Sequence, residues 1–156
     1  MLAHLHFKGR KLVMFICIIA FLLYVFYAAF LLFFSPYRQV AHEMGPRYNL
    51  IPLKTITNYI RASDHLDFKI WFTNLAGNVF AFIPLGFFLP LLFKRFNSFW
   101  RTSLWVVATT ASVEIIQFIT HVGSFDVDDI ILNAIGGIIG YVLFKILFRI
   151  QIFWEK

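Results

Sequence analysis

The sequence predicts an all-α integral membrane protein with four transmembrane helices and one longer extracellular loop between the first and second. Three observations predict it. The 156 residues are 60% hydrophobic and 14% charged, with 21 Phe and a mean hydropathy of +0.77, whereas soluble domains are nearer half apolar and a quarter charged. Apolar runs near the ~20 residues that a helix needs to cross a bilayer recur along the chain. Basic residues gather beside the ends of these runs (Lys8, Arg10, Lys11; Lys94, Arg95, Arg101; Lys145, Arg149, Lys156), where cations anchor helices at an anionic cytoplasmic leaflet.

The same numbers exclude other classes. A chain this apolar is neither a disordered tail nor a soluble enzyme of ordinary design. Cys17 is the only cysteine, so there is no disulfide scaffold, and a thiol inside an apolar run reads as a small packing residue. The net charge of +6 is spread over helix ends rather than along one exposed stripe, so no nucleic-acid partner is expected.

Taken in order, residues 1–156 form one membrane domain. The first helix covers about residues 12–34, within a stretch that carries no charge from Leu12 to Tyr37. It is too long for a signal-peptide core and no A-x-A site follows, so it stays in the protein. The loop spans 35–69 and contains an apolar, proline-punctuated segment from Arg47 to Ile56, which suggests chain lying against the membrane surface. The second helix runs over about 70–93 and the third over about 102–122, the latter interrupted only by Glu114. The fourth covers about 128–148, with Lys145 near its end, where a long stem can snorkel outwards. The short loop between the third and fourth helices holds no Lys or Arg. The positive-inside rule therefore puts both termini in the cytoplasm, although the longer loop carries five basic residues (Arg38, Arg47, Lys54, Arg61, Lys69) beside Glu43, Asp64 and Asp67.

Ionisable groups inside a bilayer cost at least ~2.5–3.5 kcal/mol each near its centre and persist where they face a partner, water or a ligand. Glu114 and Gln117 share a face of the third helix, Asn74 and Asn78 a face of the second, and Asp129, Asn133 and Gly136 or Gly137 follow Asp126 down the fourth. At a rise of ~1.5 Å per residue, Glu114 and Asn78 lie roughly 12 Å, and Asn133 roughly 10 Å, below the outer ends of their helices. This common depth predicts one outward-opening polar pocket lined by Asn74, Asn78, Glu114, Gln117, Asp126, Asp129 and Asn133. The competing reading is helix glue: Gly136, Gly137 and Gly140 fit close helix packing, and Asp126 suits the N-cap of the fourth helix. His4 and His6 have metal-ligand chemistry without a third ligand, His65 and His121 read as interfacial polar residues, and neither a nucleotide loop nor a serine-nucleophile pattern is present. No metal or other cofactor is expected.

Four stretches together carry a resemblance. Tyr48-Asn-Leu-Ile-Pro-Leu53, Asn78-Val-Phe-Ala-Phe-Ile-Pro-Leu-Gly86, Glu114-Ile-Ile-Gln-Phe-Ile-Thr-His-Val-Gly123 and Asp126-Val-Asp-Asp-Ile-Ile-Leu-Asn133-Ala-Ile-Gly-Gly137-Ile-Ile-Gly140 resemble, in that order, the VanZ-like membrane proteins. The resemblance implies a polytopic protein of the bacterial cell envelope, of a family whose namesake raises resistance to the glycopeptide teicoplanin. It places the family's polar signature on Asn78, Glu114, Gln117, Asp126, Asp129, Asn133, Gly137 and Gly140, and supplies no mechanism. The expected function is lowered susceptibility to teicoplanin-like lipoglycopeptides, the pocket binding drug or a lipid-linked wall precursor among membrane lipids. An intramembrane enzyme is the alternative, with Glu114 as acid or base on a lipid head group and Asp126 and Asp129 holding a divalent cation. A structural subunit of an envelope complex is the third. The sequence leans away from an enzyme and does not set the oligomeric state.

Overall fold

The computed structural model describes residues 2–34, 48–62 and 68–154. Arg38, Glu43, Arg47, Asp64, His65, Asp67 and Lys156 lie outside the described residues. The elements follow as α1 (Leu2–Phe33), β1 (Tyr48–Asn49), α2 (Lys54–Arg61), α3 (Phe68–Leu92), a 3₁₀ turn at Lys94–Phe96, α4 (Phe99–Ile119), β2 (Phe125–Asp126) and α5 (Val127–Trp154). Four of the helices hold stretches long and apolar enough to cross a membrane: Lys11–Phe33, Phe72–Leu92, Phe99–Ile119 and Val127–Leu147. The chain is an all-helical membrane protein. Hairpin connections reverse α3, α4 and α5 in turn, which gives the bundle a turn end at Lys94–Phe96 and a loop end that carries β1, α2 and β2.

Lipid tails are as apolar as leucine, so helices in a bilayer associate through close packing and hydrogen bonds rather than by hydrophobic exclusion. The α3–α5 pair, the most extensive in the bundle, is built on glycine. A methyl group at Gly136 would sit 2.1 Å from the Val79 carbonyl oxygen, at Gly140 2.0 Å from that of Ile83, and at Gly86 1.9 Å from that of Gly137. The two backbones therefore touch directly over two turns. Gly137 faces α4 instead, its missing methyl replaced by the Val106 side chain at 2.5 Å. Gly77 has 3.8 Å of clearance and takes no part in this contact.

Beside the glycine seam lies a small apolar core of Phe82, Leu85 and Leu89 on α3, Phe96 in the turn and Val106 on α4. Phe21 and Tyr24 of α1 pack onto it, and the Tyr24 hydroxyl donates to the Ala81 carbonyl at 2.8 Å. That contact falls next to Pro84, whose ring deprives the Phe80 carbonyl of its helical amide partner. The turn end is closed by Thr102, which donates to the Phe96 carbonyl at 2.5 Å, by Tyr141 to the Asn97 carbonyl at 3.1 Å, and by Lys145 to the Asn97 side chain. Arg95 lies over the Phe96 and Trp105 rings at 4.7 and 5.7 Å, so the cations of this end rest on aromatic surface.

At the loop end α4 stops at Ile119, short of its apolar run. His121 adopts φ 60°, and the Val122 and His121 amides donate back to the Gln117 and Phe118 carbonyls at 3.1 and 3.3 Å. This is a Schellman turn with histidine in the left-handed position that glycine usually takes. It sends the chain into β2, which pairs in parallel with β1 through Tyr48 against Phe125 and Asn49 against Asp126.

Candidate functional site

The helix α2 begins without a cap of its own. Leu53 stands at its N-cap with no side-chain hydrogen bond to offer, and the first amides of a helix have no partner within it. Asp128 supplies the acceptor from elsewhere. Its Oδ1 accepts from the Leu53 amide at 2.5 Å, and its Oδ2 from the amides of Thr55 at 2.7 Å and Ile56 at 3.2 Å. The side chain is fully buried, and the positive end of the α2 dipole adds to the attraction. Asp128 is thus a cap in trans, 75 residues from the first amide it receives.

Asp126 works on both sides of the same contact. Its Oδ1 accepts from the Asp128 amide at 2.9 Å, which caps α5 as the sequence suggests. The same oxygen accepts from Asn49 Nδ2 at 3.0 Å, and Oδ2 accepts from the Thr55 hydroxyl at 2.6 Å. Asn49 Nδ2 also donates to Thr55 Oγ1 at 3.1 Å. Beneath this layer Glu114, buried on α4, accepts from the Asp126 amide through Oε2 at 3.0 Å.

Asp129 lies one turn above Asn133 on α5, and accepts from Asn78 Nδ2 at 2.6 Å. Asn78 donates also to the Asn74 carbonyl at 3.1 Å. Asn133 donates to Thr110 Oγ1 at 2.7 Å, so Thr110 and Asn133 share a level, and Glu114 and Asp129 each lie one turn nearer the loop on antiparallel helices. Gln117 turns to the first helix and donates through Nε2 to the Leu32 carbonyl at 2.8 Å, one of the last carbonyls of α1.

The seven residues that the sequence singles out therefore occupy one end of the bundle in three groups. Glu114 meets Asp126. Asn74, Asn78 and Asp129 form a second set. Asn133 and Gln117 bind partners outside the seven, and in each case one amide oxygen, Asn133 Oδ1 and Gln117 Oε1, is buried without a donor. Among the described residues no group of three or more His, Cys, Asp or Glu is placed to hold a metal ion. An open hollow of about 300 Å³ lies along α2 and its C-terminal end, lined by Thr55, Asn58, Tyr59 and Ala62.

Comparison with known proteins decides the relationship. The VanZ/LLP1 family profile matches residues 6–149. The chain belongs to the VanZ-like family. Over 73 residues it is 37% identical to Protein VanZ of Enterococcus faecium, an alignment that takes in 47% of this chain and 45% of the relative. The aligned part thus spans about half the length of that relative. No solved structure matches.

Within this VanZ-like bundle, four contributors escape a reading by helical face. Asp128 points away from the face shared by Asp129 and Asn133, Asn49 and Thr55 belong to the loop, and Thr110 reads as an ordinary β-branched residue of an apolar helix. One signal for Asp128 was available: α2 follows Pro52 with Leu-Lys-Thr and no capping residue, so its amides require an acceptor from another segment.

Proposed function

We propose that this VanZ-like chain acts at the bacterial plasma membrane, with its loop end outward and both termini inside, and lowers susceptibility to teicoplanin-like lipoglycopeptides. The buried polar cluster under the loop end binds the drug or a lipid-linked wall precursor. Asp126 and Asp128 hold the loop segment in place. Glu114, Asp129, Asn78 and Asn133, deeper in the bundle, and Gln117, one turn nearer the loop end than Glu114, are the groups that meet the ligand.

One observation carries this reading over helix glue. A purely structural cluster is expected to pair its buried polar atoms, since each unsatisfied one costs about 1–3 kcal/mol. Gln117 Oε1 and Asn133 Oδ1, both buried, have no protein donor. They lie at the levels on either side of Glu114 and offer acceptors to a ligand that brings hydroxyl, amide or ammonium donors, all of which a glycopeptide or a sugar-bearing lipid carries. The enzymatic alternative draws less support, because Asp126 already receives three protein donors, with which a cation there would compete.

The test is teicoplanin susceptibility of a sensitive Gram-positive host that expresses empty vector, wild type, Glu114→Gln or Asn133→Leu at matched membrane levels, with vancomycin as control. Selective protection by wild type, lost in both variants, is the expected result. Protection that survives both substitutions removes the pocket from the mechanism, and no protection by well-expressed wild type removes the phenotype.

A further inference from the structure

Leu53 is held in a conformation that its side chain disfavours. Its φ of 65° lies in the left-handed region, where a branched side chain crowds its own backbone and where glycine or asparagine is the ordinary occupant. A strained leucine is usually rewarded by burial, but this one is 54% exposed. Its neighbours repeat the pattern: Tyr48 is 72% exposed, Leu50 63% and Ile51 59%. The backbone beneath them is pinned by the hydrogen bonds to Asp126 and Asp128. Buried carboxylates thus hold rigid a short segment whose apolar side chains touch little of the protein.

We propose that residues 50–53 form an apolar wedge that inserts into the lipid leaflet at the loop end of the bundle. Two observations select lipid as the occupant. The wedge is carried directly on the N-terminal end of α5, whose membrane span begins at Val127, so it continues the lipid-facing surface of the bundle at interfacial depth. The flanking cations suit a leaflet that contains anionic lipid: Lys54 follows the wedge immediately and Arg61 closes α2, both exposed, and basic side chains near such a surface attract its head groups. Tyr48 adds the amphipathic ring favoured at that boundary. In this arrangement the fold rewards Leu53 only when a bilayer is present.

The experiment uses the full chain carrying Cys17→Ala, reconstituted in vesicles of phosphatidylcholine and phosphatidylglycerol. Nitroxide labels are placed in turn at Leu50→Cys, Ile51→Cys and, as a reference on α2, Asn58→Cys. Collision with oxygen, which concentrates in the acyl region, is compared with collision with a water-soluble nickel complex. The wedge predicts that labels at 50 and 51 favour oxygen several-fold over the label at 58, and that Leu53→Gly shifts the Ile51 label toward the nickel reagent. Labels at 50 and 51 that meet the nickel complex as freely as the reference overturn the proposal. So do labels shielded from both reagents, which would mean that protein covers the segment. None of these readouts depends on antibiotic susceptibility.

Discussion

Asp128 accepts three backbone amides at the start of α2 from a fully buried position, which makes it the residue whose loss should be felt furthest. Alanine there strands three backbone donors, and each one that stays buried and unpaired costs about 1–3 kcal/mol. The expected outcome for Asp128→Ala is loss of hydrogen-exchange protection at Thr55 and Ile56, with the four spans retained. Asp128→Asn keeps one acceptor oxygen and should lose protection only in part. If Asp128→Ala leaves both amides protected, the cap in trans is not what orders α2. At this scale the candidate site was half legible. Glu114 and Asn133 stand out because polar groups are costly in an apolar run, and Asp126 because it precedes a helix. Asp128 does not, because helical spacing turns it from the face shared by Asp129 and Asn133, and the uncapped start of α2 signals that an acceptor is needed without saying which residue supplies it.

Among the elements, the α3–α5 pair depends on absent side chains. Gly140→Ala would place a methyl 2.0 Å from the Ile83 carbonyl oxygen and 2.8 Å from the Phe87 nitrogen. Backbone cannot step aside as a flexible side chain can, so the helices must separate. A fall in melting temperature in detergent is expected for Gly140→Ala and Gly136→Ala, larger than for Gly77→Ala, whose nearest neighbour is 3.8 Å away. Equal behaviour of the three would count against a backbone-to-backbone seam. Gln117 ties α1 to α4 through the Leu32 carbonyl. In Gln117→Leu that carbonyl loses its donor, and the expected result is easier proteolytic release or detergent dissociation of α1 with α3–α5 intact. The four helices could be read from apolar length alone, since a bilayer requires it. Their ends could not: α4 stops three residues short of its apolar run because a Schellman turn intervenes, and β1 and β2, at two residues each, are too short to show any periodicity.

For the molecule as a whole, the proposed orientation makes opposite ends accessible from opposite sides. Ser124 lies in the short loop before β2 and Ser98 just after the 3₁₀ turn, both exposed. In a Cys17→Ala background, Ser124→Cys in intact cells should react with a membrane-impermeant maleimide, and Ser98→Cys only after the cells are opened. The reverse pattern would invert the protein and place the polar cluster on the cytoplasmic side. Architecture and membrane class followed from composition, whereas the three-way partition of the polar residues required knowledge of which helices touch.

The clasp between β1 and β2 also dictates an order of assembly. Asn49 and its partner Asp126 are 77 residues apart, and a ribosome that adds about 5–20 residues per second needs roughly 4–15 s to make the intervening chain. Throughout that interval the segment that begins at Tyr48 lacks its buried acceptors, because Asp126 and Asp128 arrive only with α5. Closure of the clasp thus reports that α5 has been inserted in the correct direction. A chain truncated before that helix would expose an unclasped loop, giving a quality-control protease a means to tell unfinished molecules from finished ones.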